Sequence, residues 1–176
     1  MNVVDPTTLP RIVEQFDPVA GSWSVADFPP LLSGVAGHGA AAFGGSVYVA
    51  AGVDEDVNLH MELSGTPYVE AYDGRSGAWQ RIPALLLSRA QATAAVAKGC
   101  LVTAGGWNDS PPYCQSEAEL LDSTTQSWVR IPDLAQGRAG AAIAVVDEKV
   151  YVLGGWQFIT TESRPALSSV EVLSRE

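Results

Sequence analysis

The sequence predicts an all-β chain assembled from repeated four-stranded units, and three observations carry that expectation. An apolar run ending in glycine recurs as "SVYVAAG" (46–52), "CLVTAGG" (100–106) and "KVYVLGG" (149–155), its last glycines 54 and 49 residues apart. A second segment recurs as "VEQFDPVAGSW" (13–23), "VEAYDGRSGAW" (69–79) and "AELLDSTTQSW" (118–128), and "VEVLS" (170–174) starts a fourth copy. Its tryptophans, Trp23, Trp79 and Trp128, are 56 and 49 residues apart. Self-similarity at a fixed period decides architecture before local propensity does. No stretch shows capped helical periodicity.

Each unit opens on a small-residue run, "GHGAAAF" (37–43), "SRAQATAAV" (88–96) or "GRAGAAIAV" (137–145), which suits a strand in a crowded position. The Val/Tyr-rich run that ends in glycine is the second strand. The third alternates, as in Val69-Glu70-Ala71-Tyr72, and a tight "DGRSGAW" turn feeds the fourth, "WQRIP". Pro29, Pro30, Pro83 and Pro132 then stop that strand. The glycines of "VYVLGGW" are not a phosphate loop, because "QFITTESRP" supplies no helix whose N-terminus could meet an anion. They mark the point where the second strand leaves the sheet, where a Cβ would obstruct.

About 50 residues carrying four short antiparallel strands describe a propeller blade. The chain resembles the kelch-repeat proteins through "VYVLGG", "VEAYD", the spaced tryptophans and the "R-x-G/A-A-A" opening, from about residue 12 onward. The first copy departs in carrying Ala51 where the family has its first glycine. The expected organisation is an N-terminal segment (1–11), a half blade (12–27), blades at 37–83 and 88–132, and a partial blade at 137–174. That makes about three blade equivalents, short of the ~4–8 of a closed ring. The expectation is an incomplete propeller that belongs to a longer one or associates with a second copy of itself.

Composition narrows the function. With 20 acidic and 10 basic residues, a net charge of −10 excludes a phosphate-coating surface for nucleic acid or an anionic membrane and points to a basic partner. No apolar run is long enough for a membrane span and no secretory signal is visible. Two cysteines, Cys100 and Cys114, are too few for a disulfide framework, so an intracellular home in cytoplasm or nucleus is expected. Cys100 reads as a core residue on a buried strand, and Cys114 as a loop residue open to solvent. There is no GxSxG elbow, no HExxH and no Ser/His/Asp spacing, so neither an enzyme nor a cofactor or metal is expected.

In a four-stranded meander, the loop joining strands two and three emerges beside the link to the next blade, which places loops 53–67, 107–116 and 156–168 on one face. Long loops on a rigid scaffold are where function sits. On that face, His38, Arg89 and Arg138, 51 and 49 residues apart, are aligned as one repeat position. Similar arginines line the binding mouth of some kelch-type substrate adaptors, as the resemblance implies; the competing reading bonds them to carbonyls of neighbouring blades. Trp107 and Trp156, just after the diglycine, are partner anchors or covers of their own blades. "VDEDVNLHME" gathers Asp54, Glu55, Asp56, His60 and Glu62 in one loop, read as solvated and acidic, with Asp54 and Asp56 offered to a partner and no metal site.

Two function classes follow. The first is a protein-interaction module. Within it, "VYVAAGVDEDVN" (47–58) resembles a segment of plant F-box/kelch-repeat proteins, substrate receptors of cullin-RING ubiquitin ligases. No leucine-rich helical F-box precedes the repeats, so what the resemblance implies is substrate binding more than ligase recruitment. The second class is a kelch-fold enzyme or small-molecule-binding propeller of the mutarotase, metal-dependent specifier or oxidase type.

Overall fold

The computed structural model describes residues 11–25, 28–54, 65–158 and 163–173, and all regular structure among them is β. A two-stranded piece comes first, β1 (Gln15–Asp17) with β2 (Ser22–Ser24). The first blade is β4 (Gly39–Phe43), β5 (Ser46–Ala50), β7 (Val69–Asp73) and β8 (Ala78–Ile82), hydrogen-bonded in that order. Two short segments, β3 (Val35–Ala36) and β6 (Val53–Asp54), pair with each other above it. The second blade is β9 (Thr93–Ala97), β10 (Cys100–Ala104), β11 (Ala118–Asp122) and β12 (Ser127–Ile131). The third contributes β13 (Ala142–Val146), β14 (Lys149–Leu153) and β15 (Val170–Leu173). All pairings are antiparallel, as expected for an incomplete propeller.

The alanine-rich strands β4, β9 and β13 touch each other across blades and so form the inner edge of the arc. Their small side chains let three backbones converge there, which answers why this strand alone is so poor in large residues. The cores lie between blades, where one sheet face packs on the next. Between the first and second blades sit Val69, Leu85, Leu101, Leu121 and Trp128. Between the second and third sit Val102, Leu120, Ile131, Val150 and Val152.

Two devices repeat. At the turn between the third and fourth strands, Asp17, Asp73 and Asp122 each accept backbone N–H groups two or three residues on. These bonds favour the ionised form and hold the carboxylates of Asp73 and Asp122 below the ordinary range. The second device ties blades together. The indole of Trp79 donates to the Pro29 carbonyl (3.0 Å) and that of Trp128 to the Pro83 carbonyl (2.7 Å), each acceptor ending the preceding unit. The prolines that stop the fourth strand therefore also present the acceptor that the next blade uses.

Candidate functional site

The diglycine corners are built by buried arginines. Arg89 is fully buried; its Nη1 donates to the carbonyls of Gly105 and Glu117 (2.8 Å each), and its Nη2 pairs with Glu119 at 2.5 Å. Arg138 repeats this, bonding Gly154 O (2.8 Å), Ser169 O (3.2 Å) and the Glu171 carboxylate. Burial lowers the pKa of Arg89, and the neighbouring Glu119 carboxylate opposes that shift. Both sequence-derived readings of these arginines need correction. They are not offered to a partner, being 0% and 1% exposed, and the carbonyls they hold belong to their own blades, not to neighbouring ones.

The register of the first copy is also corrected. Strands β4, β9 and β13 start at residues 39, 93 and 142, and the bridges Ala36–Val53, Ala90–Trp107 and Ala139–Trp156 are equivalent. The residue matching Arg89 and Arg138 is therefore Val35, and His38 matches Ala92 and Ala141. The glycine spacing of 54 already contained this register; the 51-residue step to His38 did not obey it. His38 is exposed, though enough chain surrounds the ring for desolvation to lower its pKa.

What the fold brings together on the loop face is a different set. Gly37, Gln91 and Gly140 occupy one repeat position, all with positive φ. Gln91 N–H donates to Gly37 O (2.6 Å), and Gly140 N–H donates to Gln91 O (2.9 Å), so three blades are linked along the inner edge. Beside this line lies a pocket of ≈ 200 Å³ walled by Val53, Ala90, Gln91, Trp107, Trp156 and Arg164. Trp156 donates its indole N–H to Gln91 Oε1 (3.1 Å), and the Arg164 guanidinium lies 5.4 Å from the Trp156 ring centre. The indole nitrogen of Trp107 is buried and has no acceptor among the described residues.

Both tryptophans serve their own blades through the backbone and the pocket through the ring. Trp107 exchanges two backbone bonds with Ala90 (2.7 and 2.8 Å), and Trp156 does the same with Ala139 (2.9 and 3.0 Å). The loops they begin are interlocked: the rings of Tyr113 and Phe158 are 4.5 Å apart. Cys114 Sγ points to the Trp156 carbonyl at 3.7 Å. Cys114 is thus buried, contrary to the exposed loop thiol the sequence predicts, and desolvation raises its pKa; Cys100 is only half-buried. Burial thus makes Cys114 a poorer nucleophile than a free thiol.

Asp54 lies on β6 with its backbone paired to Val35. Asp56, with Glu55, His60 and Glu62, lies outside the described residues. Among the described residues no three His, Cys, Asp or Glu side chains converge on a point that could hold a metal ion. Gln91 and Arg164 are absent from the sequence-derived set. Gln91 was findable, since it stands where Gly37 and Gly140 do; Arg164 has no repeat counterpart to signal it.

A family model described as "Kelch motif" matches residues 34–86, 88–135 and 137–176, whose starts reproduce the corrected register. The solved structure of YjhT superposes with a TM-score of 0.72 at 18% identity, covering 92% of this chain and 48% of that one. The chain thus spans about half the length of that structure, and at this identity the likeness concerns the fold. No curated protein sequence matches the chain.

Proposed function

We propose, from the premise that the chain belongs to the kelch-motif family, that it is a protein-interaction module, without catalytic activity of its own, that engages its partner at the inner-edge pocket of the loop face. The observation that carries the reading is the pairing of Trp107 and Trp156 on one ≈ 200 Å³ pocket, with the Arg164 cation beside them. Aromatic and arginine side chains in partly desolvated pockets supply most of the energy of protein recognition. The tilted contact between the Tyr113 and Phe158 rings already holds the start of one loop against the other, which lowers the ordering cost of binding. The net charge of −10 favours a basic partner and an association rate that falls with salt. The resemblance of residues 47–58 to F-box/kelch proteins supports a finer reading, an intracellular substrate receptor of a ubiquitin ligase.

Affinity capture with the wild type and with Trp107→Ala and Trp156→Ala tests this. The expected result is a defined partner recovered with the wild type and lost, by at least tenfold, with Trp156→Ala at unchanged melting temperature. Ubiquitin-ligase subunits among the captured proteins would support the receptor reading. A partner retained by both folded variants would refute the site, and stoichiometric iron or copper in the purified protein would favour the enzymatic class instead.

A further inference from the structure

The face carrying the short turns, opposite the loop face, holds a second cavity that the repeat pattern alone does not create. It lies between the first and second blades and has a volume of ≈ 270 Å³. Its counterpart between the second and third blades, lined by the equivalent positions, is only ≈ 40 Å³. The open cleft carries the larger residues at two wall positions, Phe43 and Tyr48 against Ala97 and Val102, and the smaller residues at two others. Ala71 in the first blade stands where the second blade has Leu120, and Gly99 stands where the third has Glu148. In the second cleft Leu120 fills the floor, while the Glu148 carboxylate closes the rim by accepting the Lys98 N–H. In the first cleft the floor is left open over Ala71, and at the rim the Phe43 ring, not a carboxylate, lies against Gly99, 3.5 Å from where a Cβ would stand.

The walls of the open cleft are aromatic and aliphatic, from Phe43, Tyr48, Ile82 and Leu101, and Ser123 and Gln126 stand at the rim. Asp73 is the one charged residue lining it. Phe43 remains 51% exposed, an aromatic face left facing the opening. A ring can therefore lie against Phe43 and Tyr48 while a cation reaches Asp73, and cation–π attraction to the same rings adds to that charge pairing. The volume is just below the ~300 Å³ at which drug-sized sites begin, which restricts the ligand to one ring with a short arm. The turn hydrogen bonds that keep Asp73 ionised keep the charge available.

We propose that the cleft between the first and second blades is a binding site for a small organic ammonium that carries one flat apolar ring. It is independent of the pocket on the loop face. Titration of the full chain with phenethylammonium, followed by calorimetry and by amide shifts of Gly99 and Leu101, tests it. The expected result is saturable binding at millimolar concentration, weakened about two- to fivefold when the neutral 2-phenylethanol replaces the amine or Asp73→Asn replaces the carboxylate. Asn keeps the turn hydrogen bond, so only the charge is removed. Ala71→Leu installs the residue that the second blade already tolerates on the same strand position, and it is expected to abolish binding while partner capture at the loop face persists. Absence of saturable binding by the wild type, equal binding of the neutral analogue, or undiminished binding to Ala71→Leu would each overturn the assignment. Should Ala71→Leu fail to fold, the Asp73→Asn comparison decides it.

Discussion

The first and second blades share a strand order and a register, and differ at one corner. In the second, Arg89 reaches across the corner to Gly105 and Glu117 and pairs with Glu119. In the first, the same positions hold Val35, Ala51 and Glu70, and among the described residues no guanidinium pairs with Glu70; Arg81 instead lies over Tyr68 and bonds Ser33. Glu70 instead accepts two backbone bonds from the incoming link, Leu32 N–H (2.9 Å) and Ser33 N–H (3.0 Å). Glu119 and Glu171 accept the equivalent link bonds, from Leu86 and Ala135. The comparison separates two roles. The glutamate is a receiver for the chain arriving from the preceding blade, present in all three copies. The arginine is an added clamp for the diglycine carbonyls, and the fold dispenses with it where a valine packs instead.

The largest expected effect breaks the clamp. Arg89→Met leaves Glu119 buried without its cation and the Gly105 and Glu117 carbonyls without a donor, at a cost of about 3–5 kcal/mol. Glu70→Gln in the first blade keeps an acceptor for one of the two link amides and has no paired guanidinium to strand, so it costs about 1–2 kcal/mol. Urea unfolding of both variants checks the contrast, and equal losses would mean the clamp is not the difference between the blades.

A middle-sized effect concerns the ties. Trp79 and Trp128 are 8% and 5% exposed, while Trp23, at the same repeat position, is 67% exposed. Trp128→Phe removes the indole donor and leaves the Pro83 carbonyl unpaired, costing about 1–3 kcal/mol. Trp23→Phe falls within about 0.5 kcal/mol of the wild type. Thermal melting of the two variants measures the difference.

The smallest effect sharpens the corner itself. Ala51 adopts φ +64°, matching Gly105 at +65° and Gly154 at +62°, and a side chain in that region is strained. Ala51→Gly is expected to stabilise by about 0.5–1 kcal/mol. The reciprocal Gly105→Ala loses more than that, because its Cβ would stand 2.5 Å from the Arg138 carbonyl oxygen. Chemical denaturation of the pair reads both signs.

Much of the fold was legible because the chain states it three times. The glycine, tryptophan and alanine signatures place thirteen strands, and only the two-residue pair β3 and β6 goes unannounced. The site was less legible. His38 was aligned with Arg89 at a spacing of 51 residues, although the glycine register of 54 pointed to Val35. Trp107 and Trp156 are read as loop-face residues from the diglycine before each, but their sharing of one pocket depends on how two loops meet. Burial of Cys114 has the same origin, since nothing adjacent in sequence announces that its loop returns to meet Trp156. The cleft between the first two blades is harder still to read, because it arises from a volume difference between Ala71 and Leu120 and is meaningful only when two blades are face to face.

The bonds from Gln91 to Gly37 and from Gly140 to Gln91 bind the inner edge like a hoop around staves. The blades cannot fan apart without releasing it, so the Gln91 amide proton times their parting in hydrogen exchange. Its side chain meanwhile is held by Trp156, a wall of the loop-face pocket. The one residue whose backbone joins three blades is thus also the one whose side chain meets the loop-face pocket.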